Sequence, residues 1–254
     1  LAIAHAVQNS NKPLLITCQN THEAIRLEEA LSFFLNEDSQ ARSSNQKKAI
    51  ASRVLHFSDL ETLPYDRFSP HPNILSQRLK TLYQISQLKN TTQNPPIIVT
   101  ILNNALLRLP PRSYIKANSL LLRPGNEFDL GGFRQQLQRA GYYAVTEVRG
   151  PGEFAVRGSL LDLFPSGHQV PFRIDLFDKE IESIRSFDVD TQRTIAKLPE
   201  LKLLPAREFP SHEEARKEFR QRYRERFEGD PTTSPIYQDI TDGHTPPGVE
   251  YFLP

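Results

Sequence analysis

All eleven glycines of this 254-residue chain lie at or after Gly125. A phosphate-cradling Walker loop and a dinucleotide fingerprint both need glycine where a strand turns into a helix, because the backbone must approach the phosphate with no Cβ in the way. The first half therefore has no place for a nucleotide site of either kind. One formal match to the dinucleotide pattern, Gly150-Pro-Gly-Glu-Phe-Ala155, precedes a strand rather than a helix and reads as a turn.

That glycine-free half still alternates strand and helix patterns. Residues 14–17 form a short buried-strand candidate, and Asn20 with Glu23 is a capping-box signature for a helix carrying Ile25, Leu27, Leu31 and Phe34. Residues 36–48 are polar and read as a loop. Residues 53–57 give a second strand, the Pro-rich stretch 63–72 a loop, and 73–88 a helix with Leu75, Leu79, Leu82 and Ile85 at helical spacing. Residues 96–101 give a third strand. Strands alternating with helices imply an α/β layer with a parallel sheet.

From Ser119 the pattern changes to α+β. Residues 120–122 read as a strand, Asp129 caps a helix running to Ala140, and several strand-like runs follow between Tyr143 and Phe187. Across residues 172–177 polarity alternates, which puts Phe172, Ile174 and Leu176 on one face and Arg173, Asp175 and Phe177 on the other. Ile181 and Ile184 fall out of phase, as a bulge near Ser183 would require. Residues 204–210 read as a return linker, and Ser211 with Glu214 as another capping box. A helix follows, with Ala215, Phe219, Tyr223 and Phe227 as its apolar stripe. Residues 229–254, rich in Pro and Gly, read as a loop or an incomplete element. No internal repeat is found.

Composition narrows the function. Lys plus Arg number 31 against 30 Asp plus Glu, a formal charge of +1, too balanced for a module that grips nucleic acid by phosphate neutralisation alone. The single Cys18 lies in an apolar run and reads as a small buried hydrophobe, so no disulfide framework exists. The seven histidines never fall three to five residues apart, which gives no metal-ligand spacing. Asp162 and His168 as members of a hydrolytic site lack a Gly-x-Ser-x-Gly elbow, and a turn or capping acid is the favoured role for Asp162. No apolar run reaches the ~18 to 20 residues of a membrane span, and no signal peptide is evident. The chain starts at Leu1 and contains no Met, as an excerpt of a longer protein would.

The candidate site is the outward face carrying Arg173 and Phe177, with Arg157 expected nearby on a neighbouring strand. Arg and aromatic residues are the types that most often anchor interfaces. The competing reading pairs Arg173 with Asp175 along the strand and leaves Phe177 as one of the scattered exposed apolar residues that every protein has. Periodicity alone does not separate them.

Five stretches carry a resemblance along nearly the whole chain: Leu63-Pro-Tyr-Asp-Arg-Phe-Ser-Pro-His71, Gly141-Tyr142, Arg157-Gly-Ser-Leu-Leu-Asp-Leu-Phe-Pro165, Phe187-Asp-Val-Asp-Thr-Gln-Arg193 and Leu203-Leu-Pro-Ala206. They resemble the N-terminal, UvrB-homologous region of the bacterial transcription-repair coupling factors. The resemblance implies a degenerate helicase-like parallel-sheet α/β domain over residues 1–118, an inserted α+β domain over 119–204, and a return to the first domain over 205–254, cut short. It implies DNA repair in the cytoplasm, with UvrA as the partner and Arg157, Arg173 and Phe177 as its contacts. It also implies that this piece is not itself an enzyme and holds no cofactor. ATP, Mg, RNA polymerase and duplex DNA would be handled by domains of the full-length protein lying elsewhere, and no membrane is involved. UvrB itself is set apart by its Walker loop and long aromatic hairpin, for which the glycine-free half and the short passage 66–73 leave no room. The alternatives are a stand-alone DNA-handling or ATP-hydrolysing module and a structural spacer.

Overall fold

The computed structural model describes residues 2–8, 10–37, 53–64, 66–88 and 95–252. It divides into two compact units, Leu1–Leu60 with Thr81–Arg108, and Glu61–Lys80 with Leu109–Pro254.

The first unit is a small parallel sheet. Strands β1 (Leu14–Cys18), β2 (Val54–His56) and β3 (Ile97–Ile101) pair in the order β1-β3-β2, both ladders parallel. Helices α1 (Ala2–Gln8) and α2 (Thr21–Glu37) supply the apolar cover: Ala4, Val7, Ala24, Leu31 and Leu35 pack with Val54, Ile97 and Val99. Cys18 is buried here, and burial pushes its thiol pKa up, reinforced by nearby Glu23. The capping box forms: Asn20 Oδ1 accepts from the Glu23 amide at 2.9 Å, while the Glu23 carboxylate reaches back to the Gln19 amide at 2.9 Å. Ile25, expected on the apolar face, is exposed, and Ala24 takes the buried position instead. The polar tract expected as a loop over 36–48 lies outside the described residues from 38 onward; Asn36 and Glu37 end α2. After β3, the buried Asn104 of α4 (Leu102–Ala105) donates to the carbonyls of Phe57 and Ser58, each at 3.0 Å, closing that end of the sheet with protein groups. Helix α3 (Pro72–Ser86) contributes residues to each unit.

The second unit is built on a six-stranded sheet. After α5 (Arg112–Ala117) and β4 (Leu120–Leu122), helix α6 (Leu130–Arg139) leads into β5 (Tyr143–Ala144), β6 (Glu153–Arg157), β7 (Leu160–Leu163), β8 (Phe172–Phe177), β9 (Glu180–Phe187) and β10 (Thr194–Leu198). The order is β10-β9-β8-β7-β6-β5, antiparallel except for the parallel pair β5–β6. β11 (Leu201–Leu203) pairs antiparallel with β4 as a separate ribbon. Asp129 caps α6 as expected, its carboxylate accepting from the amides of Gly131 and Gly132.

One face of the six-stranded sheet is the core. Phe154, Leu161, Leu163, Phe172, Ile174, Leu176, Ile181 and Ile184 point to it and meet Phe133 and Leu137 of α6 and Leu122, Leu201 and Leu203 of the ribbon. Each such side chain contributes about 1.5 to 3 kcal/mol by leaving water, enough to fix the register of every strand. The phase slip in β9 is a bulge: Asp175 pairs with Ser183 but Leu176 with Ile181, leaving Glu182 as the extra residue.

Helix α7 (Glu213–Arg226) departs from the expected cap. His212, not Ser211, is its N-cap, with Nδ1 accepting from the Ala215 amide at 3.3 Å. The aromatic stripe forms: ring centroids of Phe219 and Tyr223 lie 5.6 Å apart, and those of Tyr223 and Phe227 4.5 Å. The stretch read as a loop contains a further helix, α8 (Pro235–Thr241), capped by Ser234. Tyr237 and Ile240 of α8 pack with Phe209, Phe219 and Val249 into a small core of their own. Proline at the first helical position, where its missing N–H is not needed, starts a helix here instead of preventing one.

Candidate functional interface

The second face of the six-stranded sheet carries the candidate residues. Pairing places Ala155, Asp162, Arg173, Arg185 and Lys197 in one row across β6, β7, β8, β9 and β10. The next row holds Arg157, Leu160, Asp175 and Ser183, and beyond it Phe177 stands opposite Glu180. Two pairs in the same register share a face, so these alternate residues all point away from the core.

Arg173 and Arg185 are directly opposed, an arrangement that repels unless each charge is neutralised. Each has its own acid. Asp162 accepts from Arg173 through two bonds, Nε to Oδ1 at 2.7 Å and Nη2 to Oδ2 at 2.9 Å. Asp175 accepts from Arg185 and from the Ser183 hydroxyl. Asp162 also receives Nη2 of Arg157 at 2.8 Å on Oδ2, so one carboxylate serves two arginines. Its side chain is 1% exposed, against 18% for Arg173 and 51% for Arg157. The hydrogen bonds it donates to Asp162 hold the Arg173 guanidinium above its ordinary pKa against the opposing effect of burial. The same guanidinium lies 4.8 Å from the centroid of the Phe187 ring, a cation–π contact. Phe187 belongs to a small apolar cluster with Val148, Ala155 and Phe164 that covers one end of this face.

Phe177 ends β8 at the other side of the patch, 75% exposed, and the turn that follows passes through Asp178 at φ 54°. Strand spacing and rise set Phe177 ~13 Å from Arg173 along β8 and ~12 Å from Arg157 across two strands. An aromatic ring, a half-exposed guanidinium and an anchored one thus frame a single flat area.

A family model for the UvrB interaction domain matches residues 120–209, which contain the whole of this sheet. The transcription-repair-coupling factor of Escherichia coli (strain K12) is 38% identical over 252 residues, 99% of this chain and 20% of that protein. That of Haemophilus influenzae is 42% identical over 249 residues, 97% of this chain and 20% of that protein. That of Bacillus subtilis is 29% identical over 199 residues, 78% of this chain and 15% of that protein. Nearly the whole chain is thus similar to one part of the transcription-repair-coupling factors.

It spans about a fifth of the length of the first two of these relatives, and within that span lies the UvrB interaction domain. In this chain the three expected contact residues share one face, but the expected place of Arg157 and the competing reading of Arg173 both change. Arg157 sits on the next strand but one from β8, with β7 between them, and not on a neighbouring strand. Arg173 pairs with Asp162 across strands, not with Asp175 along its own, because residues two apart on a strand lie farther from each other than directly opposed ones.

Asp162 is the residue that sequence reasoning placed wrongly. It is neither a turn nor a capping acid but lies inside β7, buried between Leu161 and Leu163. The signal was present: a carboxylate inside an apolar strand must find a counter-charge, since burying it unpaired is prohibitive. His168, weighed with it, is engaged elsewhere, its Nε2 donating to the Lys202 carbonyl at 3.0 Å. Among the described residues no group of three or more His, Cys, Asp or Glu is placed to hold a metal ion, and no helix is long and apolar enough to cross a membrane.

Proposed function

We propose that this chain is the UvrA-recruiting module of a transcription-repair-coupling factor, docking UvrA so that a stalled RNA polymerase hands over its DNA lesion. The observation that carries the reading is the outward face on which Arg157, Arg173 and Phe177 stand together, inside the stretch matched by the UvrB interaction domain. The insert is assigned to residues 119–204, with 1–118 and 205–254 as the two parts of a helicase-like α/β domain; the match over 120–209 supports those limits. Translocation on duplex DNA driven by ATP and Mg, and the contact with RNA polymerase, are assigned to the parts of a full-length coupling factor that this chain does not span, acting in the cytoplasm.

The test is affinity for purified UvrA. Alanine at Arg157 or Phe177 is expected to weaken binding by about 1 to 4 kcal/mol, the range for interface anchors. Undiminished affinity in both variants refutes recruitment through this face and leaves the spacer reading standing.

A further inference from the structure

We propose that Asp162 is a positioning residue for the partner-binding face: a buried carboxylate that touches no partner and holds both arginines in the geometry a partner meets. The proposal rests on the recruitment reading and deepens it. Each arginine has a different task. Both bonds from Arg173 to Asp162 and the contact of its planar face with Phe187 leave it anchored, whereas Arg157 gives Asp162 one nitrogen and keeps half its side chain in water.

The energetic logic follows from burial. An ion pair between exposed side chains contributes little, because water and salt screen it and two long side chains must be ordered. Here the acid is 1% exposed, so its charge is not screened, and removing it strands Arg173 in a partly buried position. An arginine that is already ordered loses less freedom when a partner binds, and ordering one rotamer-rich side chain corresponds to about a 3- to 10-fold difference in affinity. The planar fork of arginine makes such ordering possible; a lysine at 173 has no second nitrogen for Asp162. Asp162 thereby couples two contacts that lie on strands separated by β7 itself.

The experiment is a double-mutant cycle with the 254-residue chain and purified UvrA, using Asp162→Asn, Arg157→Ala and the two combined. Asp162→Asn keeps the shape and removes the charge. It should weaken UvrA binding about 3- to 10-fold for each arginine it releases, and by a smaller total factor once Arg157 is already alanine, because only Arg173 is then left for Asp162 to hold. Unchanged affinity in Asp162→Asn, or a fully additive double variant, overturns positioning while leaving recruitment intact. Normal affinity in Arg157→Ala overturns recruitment by that residue instead. A second readout needs no UvrA and no mutation: guanidinium rotation in the free chain, followed by arginine side-chain NMR. Slow rotation of both Arg157 and Arg173 is expected, and freely rotating Arg157 overturns the proposal even if Asp162→Asn does not fold.

Discussion

Truncating Phe177 to alanine separates an interface anchor from a core residue with a single substitution. A phenylalanine has roughly 200 Å² of surface to lose, and this one keeps 75% of its surface in water. Only about 50 Å² is therefore buried, which at about 25 cal/mol per Å² amounts to about 1 kcal/mol of folding stability. A fully buried phenylalanine costs about 3 to 5 kcal/mol on the same change. Chemical denaturation of the parent and of Phe177→Ala should thus give unfolding free energies that differ by about 1 kcal/mol or less at unchanged slope. Affinity for UvrA, measured on the same two proteins by calorimetry, should fall by about 1 to 4 kcal/mol. Arg173→Ala should behave differently: it abandons the buried Asp162 to Arg157 alone, so stability and affinity should fall together. Loss of about 3 kcal/mol or more of stability in Phe177→Ala with normal UvrA binding, once corrected for the folded fraction, refutes the reasoning for this face.

Further tests concern other parts of the molecule. Arg78 and Glu208 form an ion pair with side chains 1% and 10% exposed, so Arg78→Ala should cost about 3 to 5 kcal/mol in denaturant unfolding, and a near-neutral result contradicts the buried pair. Tyr142 is buried and its hydroxyl donates to the Leu204 carbonyl at 2.6 Å; Tyr142→Phe should cost about 1 kcal/mol by thermal unfolding, since it leaves that carbonyl without its partner. Burial lowers the pKa of His168, opposed by its bond to the Lys202 carbonyl and assisted by Lys80. The unfolded chain therefore binds the proton first as pH falls through about 6.5, and stability present above that pH should decline below it. His168→Gln should flatten that part of the stability profile, and an unchanged slope excludes His168 as its source. Finally, isothermal titration of this chain with ATP should show no saturable binding at micromolar concentrations, as the glycine-free first half requires.

Sequence alone determined what depends on near neighbours. Alternation in residues 172–177 assigned the buried and outward faces of β8 correctly, because side chains of a strand alternate regardless of what covers them. The slip between Ile181 and Ile184 revealed the bulge, and Asn20 with Glu23 the start of α2, for the same local reason. Choices among chemically similar partners were not legible. Whether Arg173 meets Asp175 or Asp162 depends on which strand lies beside β8, and His212 displaced Ser211 as a cap by fine geometry that no residue count contains. Helix α8 was hidden because proline signals both turns and helix starts, and its core partners Phe209 and Phe219 lie far from it in the chain. Tertiary structure alone brought Arg157, Asp162 and Arg173 together across three strands. Pairing between strands is decided by the burial of the opposite face, and the charges on the outward face take the positions that the core leaves them.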